Sequence, residues 1–368
     1  MIKIDSHLRV ADPAAYVKTL VERHWRHFNP VDDGGKYTAK SAIEACRRLR
    51  QATGQTAPIT SRGKHKGATY LQYYADGDSA KLRRQQDFLD YLLHNDGANL
   101  VQLYTARPDT LAAMATAIGA LTKSGDFFKT DKGKLKQTEF GKRLSRDVFD
   151  YASFRSSQYC ADLYRQLQFN QATCPYCNHS VLEIVQLHKG KDEAPMLKAY
   201  FQLDHYFAQV RHPYLALSFF NLIPSCGNCN AVDKLDAEFA LHTHVHPFHE
   251  AFDDFYHFEL SMRGMWGMVH EVQIVPRQST THRDGGVDAF RLRDKYAGYS
   301  ALAIDLHRRF VAYEHCLKTE DAQTLRLFQD AVLHGMSLDK RDILRTNRGK
   351  MKRDLIRQFD VANALKID

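Results

Sequence analysis

The sequence predicts an α+β protein: a small mixed unit set between mainly helical N- and C-terminal parts. Three observations lead there. Apolar residues recur at helical spacing from Asp12 to about Gln168 and again from Val287 to the end. Between them the pattern changes to β-like runs at Val181–Leu187 and Ala199–His205. Two Cys-x-x-Cys pairs, Cys174/Cys177 and Cys226/Cys229, bracket those runs. The expected division is 1–157 (helical), 158–278 (the mixed, cysteine-bearing module and a following hairpin) and 279–368 (helical).

Each element has a local reason. Asp12-Pro13 supplies an N-cap and a first-turn proline, and Val17, Leu20, Val21, Trp25 and Phe28 then mark one apolar face that Pro30 stops. A second helix is expected over Ala39 to Gln51. A third starts at Ser79, carries Leu82, Leu89, Leu92 and Leu93, and ends at Asn95-Asp96-Gly97. Asp109 starts a helix that Ser124-Gly125 ends. Residues 126–137, charged and glycine-containing, read as a loop, and helices resume near Thr138. Residues 255–276 read as a hairpin around Arg263-Gly264. In the last part Gly335 suits a C-cap and Ser337 an N-cap.

The chain has 368 residues and a net charge of +8, from 51 Lys/Arg against 43 Asp/Glu. The 44% hydrophobic and 26% charged fractions exclude disordered and collagen-like classes. No apolar run reaches the roughly 18 residues of a membrane span, and Met1-Ile2-Lys3-Ile4-Asp5 is unlike a secretory signal. A cytoplasmic protein with no membrane association is the expectation. The positive charge favours an anionic partner such as nucleic acid. It is concentrated at both ends, with 13 Lys/Arg against 6 Asp/Glu in residues 1–70 and 9 against 5 in residues 335–368. Arg62, Lys64 and Lys66 form a basic loop, and Arg345, Arg348, Lys350, Lys352 and Arg353 a basic C-terminal stretch.

Two Cys-x-x-Cys pairs about 50 residues apart point to a structural zinc site. Each pair can form a tight knuckle, and two knuckles close a tetrahedral site of four thiolates, coordinatively full and therefore structural. Cys46, Cys160 and Cys316 stand singly in helical patterns, as core or surface thiols. Between the pairs lies Leu203-Asp204-His205-Tyr206; Asn221-Leu222-Ile223-Pro224 leads into the second pair; Asn230 follows Cys229 directly, and Lys234 comes four residues later.

This arrangement resembles the HNH endonucleases, the ββα-metal or His-Me finger family, and within them the members with a four-cysteine zinc site and an Asp-His-Asn active site. The stretch from Asn221 to Asn230 further resembles the HNH subunits of Septu-type anti-phage systems. Ala208 stands where the family often has proline, and Lys234 lies one position further on than the usual lysine. The resemblance implies a ββα-metal nuclease core and cleavage of DNA to 5′-phosphate and 3′-hydroxyl ends, with RNA an open alternative. It also implies a His205 ring oriented by a backbone carbonyl, a loop pinned by Asn221, and, from the narrower likeness, bacterial defence beside an ATPase partner protein.

The chemistry fits those residue types. Phosphodiester hydrolysis needs an activated water and neutralisation of phosphoryl charge. His205, with an ordinary pKa of about 6.5, is the expected general base. Asp204 and Asn230 offer the oxygen ligands that suit a catalytic Mg²⁺ or Mn²⁺. Adjacent strand residues face opposite ways, so Asp204 and His205 can act from different sides. The zinc knuckle would hold Cys229, and hence Asn230, in place. Lys234, Arg348, Lys350, Lys352 and Arg353 are the expected nucleic-acid contacts. The histidines at 242, 244, 246 and 249 lack acidic partners close by and read as loop or core residues, and His179 and His188 as structural or exposed ones. The alternative function is a catalytically inactive, zinc-stabilised module that binds nucleic acid or another protein.

Overall fold

Side-chain caps start the helices close to where the sequence places them. In this computed structural model, which describes all residues except 60–65, 189–194, 262–270, 278–284, 318–321, 334 and 368, the Asp12 carboxylate accepts from the Ala15 N–H at 3.0 Å and helix Pro13–Phe28 follows. Ser41 caps Ala42–Ala52 in the same way. The run Ser79–Thr105 is broken at the expected Asn95-Asp96-Gly97, whose φ values are 47°, 57° and 87°, and a second helical stretch then continues to Thr105. Helix Pro108–Leu121 follows. Arg62, Lys64 and the Arg263-Gly264 turn lie outside the described residues.

One expectation is corrected here. Residues 126–137 are not a loop: Phe128–Asp131 and Lys134–Gln137 pair as an antiparallel hairpin, with Lys129 opposite Lys136 and Asp131 opposite Lys134. Its two-residue turn, Lys132-Gly133, has positive φ at both positions (50° and 75°), the type I′ geometry that suits the twist of a hairpin. The base of the hairpin is fixed. Arg84 makes a two-pronged bond to buried Asp126 at 2.7 and 2.8 Å, and Gly141 of the next helix, Glu139–Asp147, lies so close that a Cβ there would sit 2.3 Å from the Phe127 carbonyl oxygen.

Helices Tyr151–Ser156 and Gln158–Gln166 lead into the mixed region. There the strands pair only in antiparallel twos among the described residues: Ala172–Thr173 with Val181–Leu182, Ile184–Leu187 with Met196–Ala199, Gln202–His205 with Leu222–Ser225, and Tyr256–Ser261 with Glu271–Pro276. The last of these is the expected hairpin at 255–276. Helix Gly349–Phe359 covers an edge of Tyr256–Ser261: Asp354 and Gln358 accept from the N–H groups of Phe258 and Leu260 at 2.9 and 2.8 Å. Gly335, the expected C-cap, has φ 73° and stands two residues after helix Ala322–Leu333. The N-cap of the turn after it is Asp339 rather than Ser337.

The core runs through all three expected parts. A single cluster of buried residues extends from Met1 to Leu355, and a smaller one joins Phe310, Tyr313, Val332 and Ile356 near the C-terminus. The mixed unit is therefore packed against both helical parts. No helix among the described residues is long and apolar enough to cross a membrane.

Candidate metal centre and active site

The four cysteines converge. Cys174 follows the strand Ala172–Thr173, and the Asn178 N–H returns to its carbonyl at 2.7 Å; on the other side the Asn230 N–H returns to the Cys226 carbonyl at 3.1 Å. Both pairs thus form tight turns. All four thiols are buried, and their Sγ atoms lie within 4.8 Å of one another, Cys177 and Cys226 at 3.9 Å. Four thiolates at about 2.3 Å from a tetrahedral zinc stand about 3.8 Å apart, so the cluster is of the size to hold a metal ion such as zinc. Among the described residues it is the one group of His, Cys, Asp or Glu side chains so arranged. Cys46 and Cys160 are buried singly; Cys316 is half-buried.

Between the knuckles, Gln202–His205 and Leu222–Ser225 form a two-stranded ladder with Asp204 opposite Ile223 and His205 opposite Leu222. The loop joining them closes on Asn221. Its buried amide accepts from the Phe207 N–H at 2.7 Å and donates to the carbonyls of Leu215 and Phe207 at 2.9 and 3.2 Å. That loop brings the Ala216 carbonyl to His205 Nε2 at 3.0 Å. A carbonyl only accepts, so Nε2 carries the proton and Nδ1 is the basic nitrogen. The Tyr151 ring packs against the imidazole, centroids 4.5 Å apart at 66°. Burial pushes the His205 pKa down to about 4, so the ring is neutral at pH 7.

After the second strand the short helical stretch Asn228–Lys234 carries Cys229, Asn230 and Lys234. The Asn230 amide nitrogen donates to Gln202 Oε1 at 2.8 Å. Lys234 turns inward. Its ammonium, 1% exposed, bonds both Asp204 oxygens at 2.7 and 2.8 Å and the carbonyls of His205 and Tyr206. The Tyr176 hydroxyl adds a bond to Asp204 Oδ2 at 2.6 Å. Burial lowers the Lys234 pKa, with the Asp204 charge opposing that shift.

This corrects two expectations. Lys234 is the buried partner of Asp204 and does not reach a phosphate from the surface. Asp204, in turn, is the counter-ion of an ammonium rather than an open metal ligand. Lys234 and Tyr176 take three of the about four acceptor sites of the Asp204 carboxylate, so a hard divalent cation there would share it with the ammonium. The described residues thus give no support for a catalytic Mg²⁺ or Mn²⁺ at the pair Asp204 and Asn230, although both line the same cleft.

The C-terminal basic residues are corrected as well. Lys350 is buried and bonds Asp354 and Asp253; Arg353, 1% exposed, donates to the carbonyls of Ser337 and Leu338 at 3.0 and 3.1 Å; Lys352 is buried on the same helix. Arg348 is half-buried, its guanidinium 3.9 Å from the centre of the Tyr299 ring and 3.2 Å from His179 Nε2. Helix Gly349–Phe359 is a packed element, so Lys350 and Arg353 meet acids and carbonyls instead of solvent. The histidine cluster behaves as expected: His246 is buried against Tyr206, and His244 stacks on Phe239.

His205 lies in a polar cleft of about 570 Å³, lined by Tyr151, Leu203, Asp204 and Asn230, by Leu235 and Asp236, and by Leu135, Lys136, Gln137 and Lys142. The last four come from the unexpected hairpin and the helix after it. Sequence reasoning passed over that wall; the alternation around Lys132-Gly133 was the available signal. Compared with known proteins, the chain matches no family model, no curated protein and no solved structure.

Proposed function

We propose that this protein is an HNH-class endonuclease that hydrolyses phosphodiester bonds of DNA at the His205 cleft, with a structural zinc in the four-cysteine site. The observation that carries the reading is the His205 ring: tethered through Nε2 to the Ala216 carbonyl, neutral, and set in an open polar cleft on a strand pair stapled by four thiols. His205 Nδ1 would take the proton of the attacking water as its oxygen bonds phosphorus, while the P–O3′ bond breaks and the 3′ oxygen takes a proton from solvent water. A phosphate held in the cleft would raise the basicity of Nδ1 through negative charge. Lys136 and Lys142 line the same cleft, paired with Asp131 and Glu139; turned from these acids to a bound phosphate, they would offset the charge developing on the phosphoryl oxygens. Asn221 holds the loop, and Asp204 with Lys234 holds the strand end, in place. The defence setting and an ATPase partner rest on the likeness of residues 221–230 alone.

A second reading has its own observation. Asp204 capped by Lys234 favours a module that binds nucleic acid without cutting it. Plasmid cleavage separates the two. For the nuclease, His205→Ala keeps the zinc and the melting temperature and loses on the order of 10²–10⁴ in rate. A parent protein that leaves DNA and RNA intact, with added divalent ions and with the neighbouring gene product present, overturns the enzymatic reading.

A further inference from the structure

The hairpin Phe128–Gln137 is built against its own electrostatics. It carries four lysines and one aspartate. Lys129 stands directly opposite Lys136, and like charges in that position destabilise a strand pair. Asp131 offsets only part of this, through its 2.7 Å pair with Lys136. Lys129, Lys132 and Lys134 are exposed and have no ion-pair partner among the described residues. Alternation puts Lys129, Asp131, Lys134 and Lys136 on one face, while Phe128, Leu135 and Gln137, all half-buried, are on the other.

The hairpin is also rigidly mounted beside the catalytic loop. Arg84 and Asp126 anchor its start, Gly141 allows the next helix to touch it, and Gln137 Nε2 donates to the Gln209 carbonyl at 3.2 Å. Residue 209 belongs to the segment that Asn221 closes, and the cleft that holds His205 is walled by Leu135, Lys136 and Gln137. A repulsive cationic ribbon that continues the wall of a reactive cleft fits a partner with regularly spaced negative charge.

We infer that this hairpin is the phosphate-backbone clamp of the protein: Lys129, Lys132 and Lys134 grip the DNA backbone beside the bond that lies at His205. The inference rests on the nuclease reading for its substrate. It moves the nucleic-acid surface from the C-terminal helix, whose cations are buried, to the hairpin. Lysine point charges hold a backbone without reading bases, so the clamp confers position and not sequence preference.

The test uses the full-length, zinc-loaded chain carrying His205→Ala and a fluorescein-labelled DNA duplex, with an RNA duplex of the same sequence alongside. In that background Lys129→Gln, Lys132→Asn and Lys134→Gln are combined, asparagine being tolerant of the left-handed turn position. The expected result is DNA affinity lower on the order of tenfold or more, and a slope of log affinity against log salt smaller by about 2 to 3, with zinc content unchanged and a melting temperature no lower than the parent's, since the repulsion between positions 129 and 136 is relieved. A control removes the same charge at exposed lysines outside the cleft, Lys18→Gln, Lys36→Gln and Lys40→Gln, and should change affinity far less. If the hairpin variant binds like its parent, or the control weakens binding equally, the clamp is wrong while the nuclease reading stands. Tighter, hairpin-dependent binding of the RNA duplex overturns DNA as the substrate. A parent that binds neither duplex overturns both the clamp and the nuclease reading.

Discussion

Replacing Lys234 with methionine isolates the interaction that the fold places under the candidate site. Methionine keeps most of the aliphatic stem and removes the ammonium. The side chains of Lys234 and Asp204 are 1% and 3% exposed, and the ammonium makes two of the three hydrogen bonds that the Asp204 carboxylate receives, the third being Tyr176. Removing it strands a buried carboxylate, a loss that costs about 3–5 kcal/mol. At about 2.1 cal/mol/K of unfolding entropy per residue, 368 residues give about 1.3 °C per kcal/mol, so the melting temperature should fall by about 4–6 °C. Calorimetry of zinc-loaded protein reads this directly. A second variant controls for packing: Lys234→Met combined with Asp204→Leu removes both charges and should recover part of the loss, because no buried charge is left unpaired while the Tyr176 hydroxyl and the His205 and Tyr206 carbonyls each lose a partner. A single variant melting within about 2 °C of the parent, or a double variant no better than the single one, would refute the counter-ion assignment. Cleavage by the double variant adds a functional readout. Activity that follows its recovered stability supports Asp204 as counter-ion; abolished activity in a stable double variant restores Asp204 to the chemistry.

Three further outcomes follow from the same geometry. Cys226→Ser should lower both solubility and melting temperature and remove about one tightly held zinc per chain by elemental analysis, because metal binding at such a site is part of the folding free energy; well-folded parent protein free of zinc counts against the site. Burial pushes His7 and His24 down to about 4, while the unfolded chain takes up those protons near pH 6.5. Their contribution is thus complete above about pH 6.5 and is lost as the pH falls toward 4, at about 1.4 kcal/mol per pH unit for each, which urea midpoints between pH 7 and pH 4 would detect. Gly141→Ala drives a methyl group to 2.3 Å from the Phe127 carbonyl oxygen; overpacking of this kind costs about 1–3 kcal/mol and, by displacing the hairpin, should weaken DNA binding beyond what the stability loss explains.

Local signals were legible in the sequence wherever a short stretch contains its own cause. Asp12-Pro13 starts a helix because a side-chain oxygen three residues away meets a free N–H, whereas the Ser41 cap of the second helix lies two residues past the expected start at Ala39. Asn95-Asp96-Gly97 breaks a helix because those residues tolerate positive φ. The cysteine spacing alone pointed to one convergent cluster, and the Asp204-His205 strand pairs with the Asn221 side of the second knuckle. Hairpin 128–137 was hidden because lysine and glycine dominate its composition, though alternation and the Lys132-Gly133 turn were both present.

What only the tertiary structure decided is the fate of the charges. A lysine at helical spacing looks the same whether water or a carboxylate waits opposite. Lys234 meets Asp204 from 30 residues away, and Lys350 meets Asp253 from 97 residues away. Neither distance leaves a periodicity to read, since it is the packing of one element on another that brings the acid to the base. For the same reason the exposed cations beside His205 come from the N-terminal hairpin rather than the basic C-terminus: packing buries the C-terminal helix on a strand edge and leaves the hairpin at the lip of the cleft.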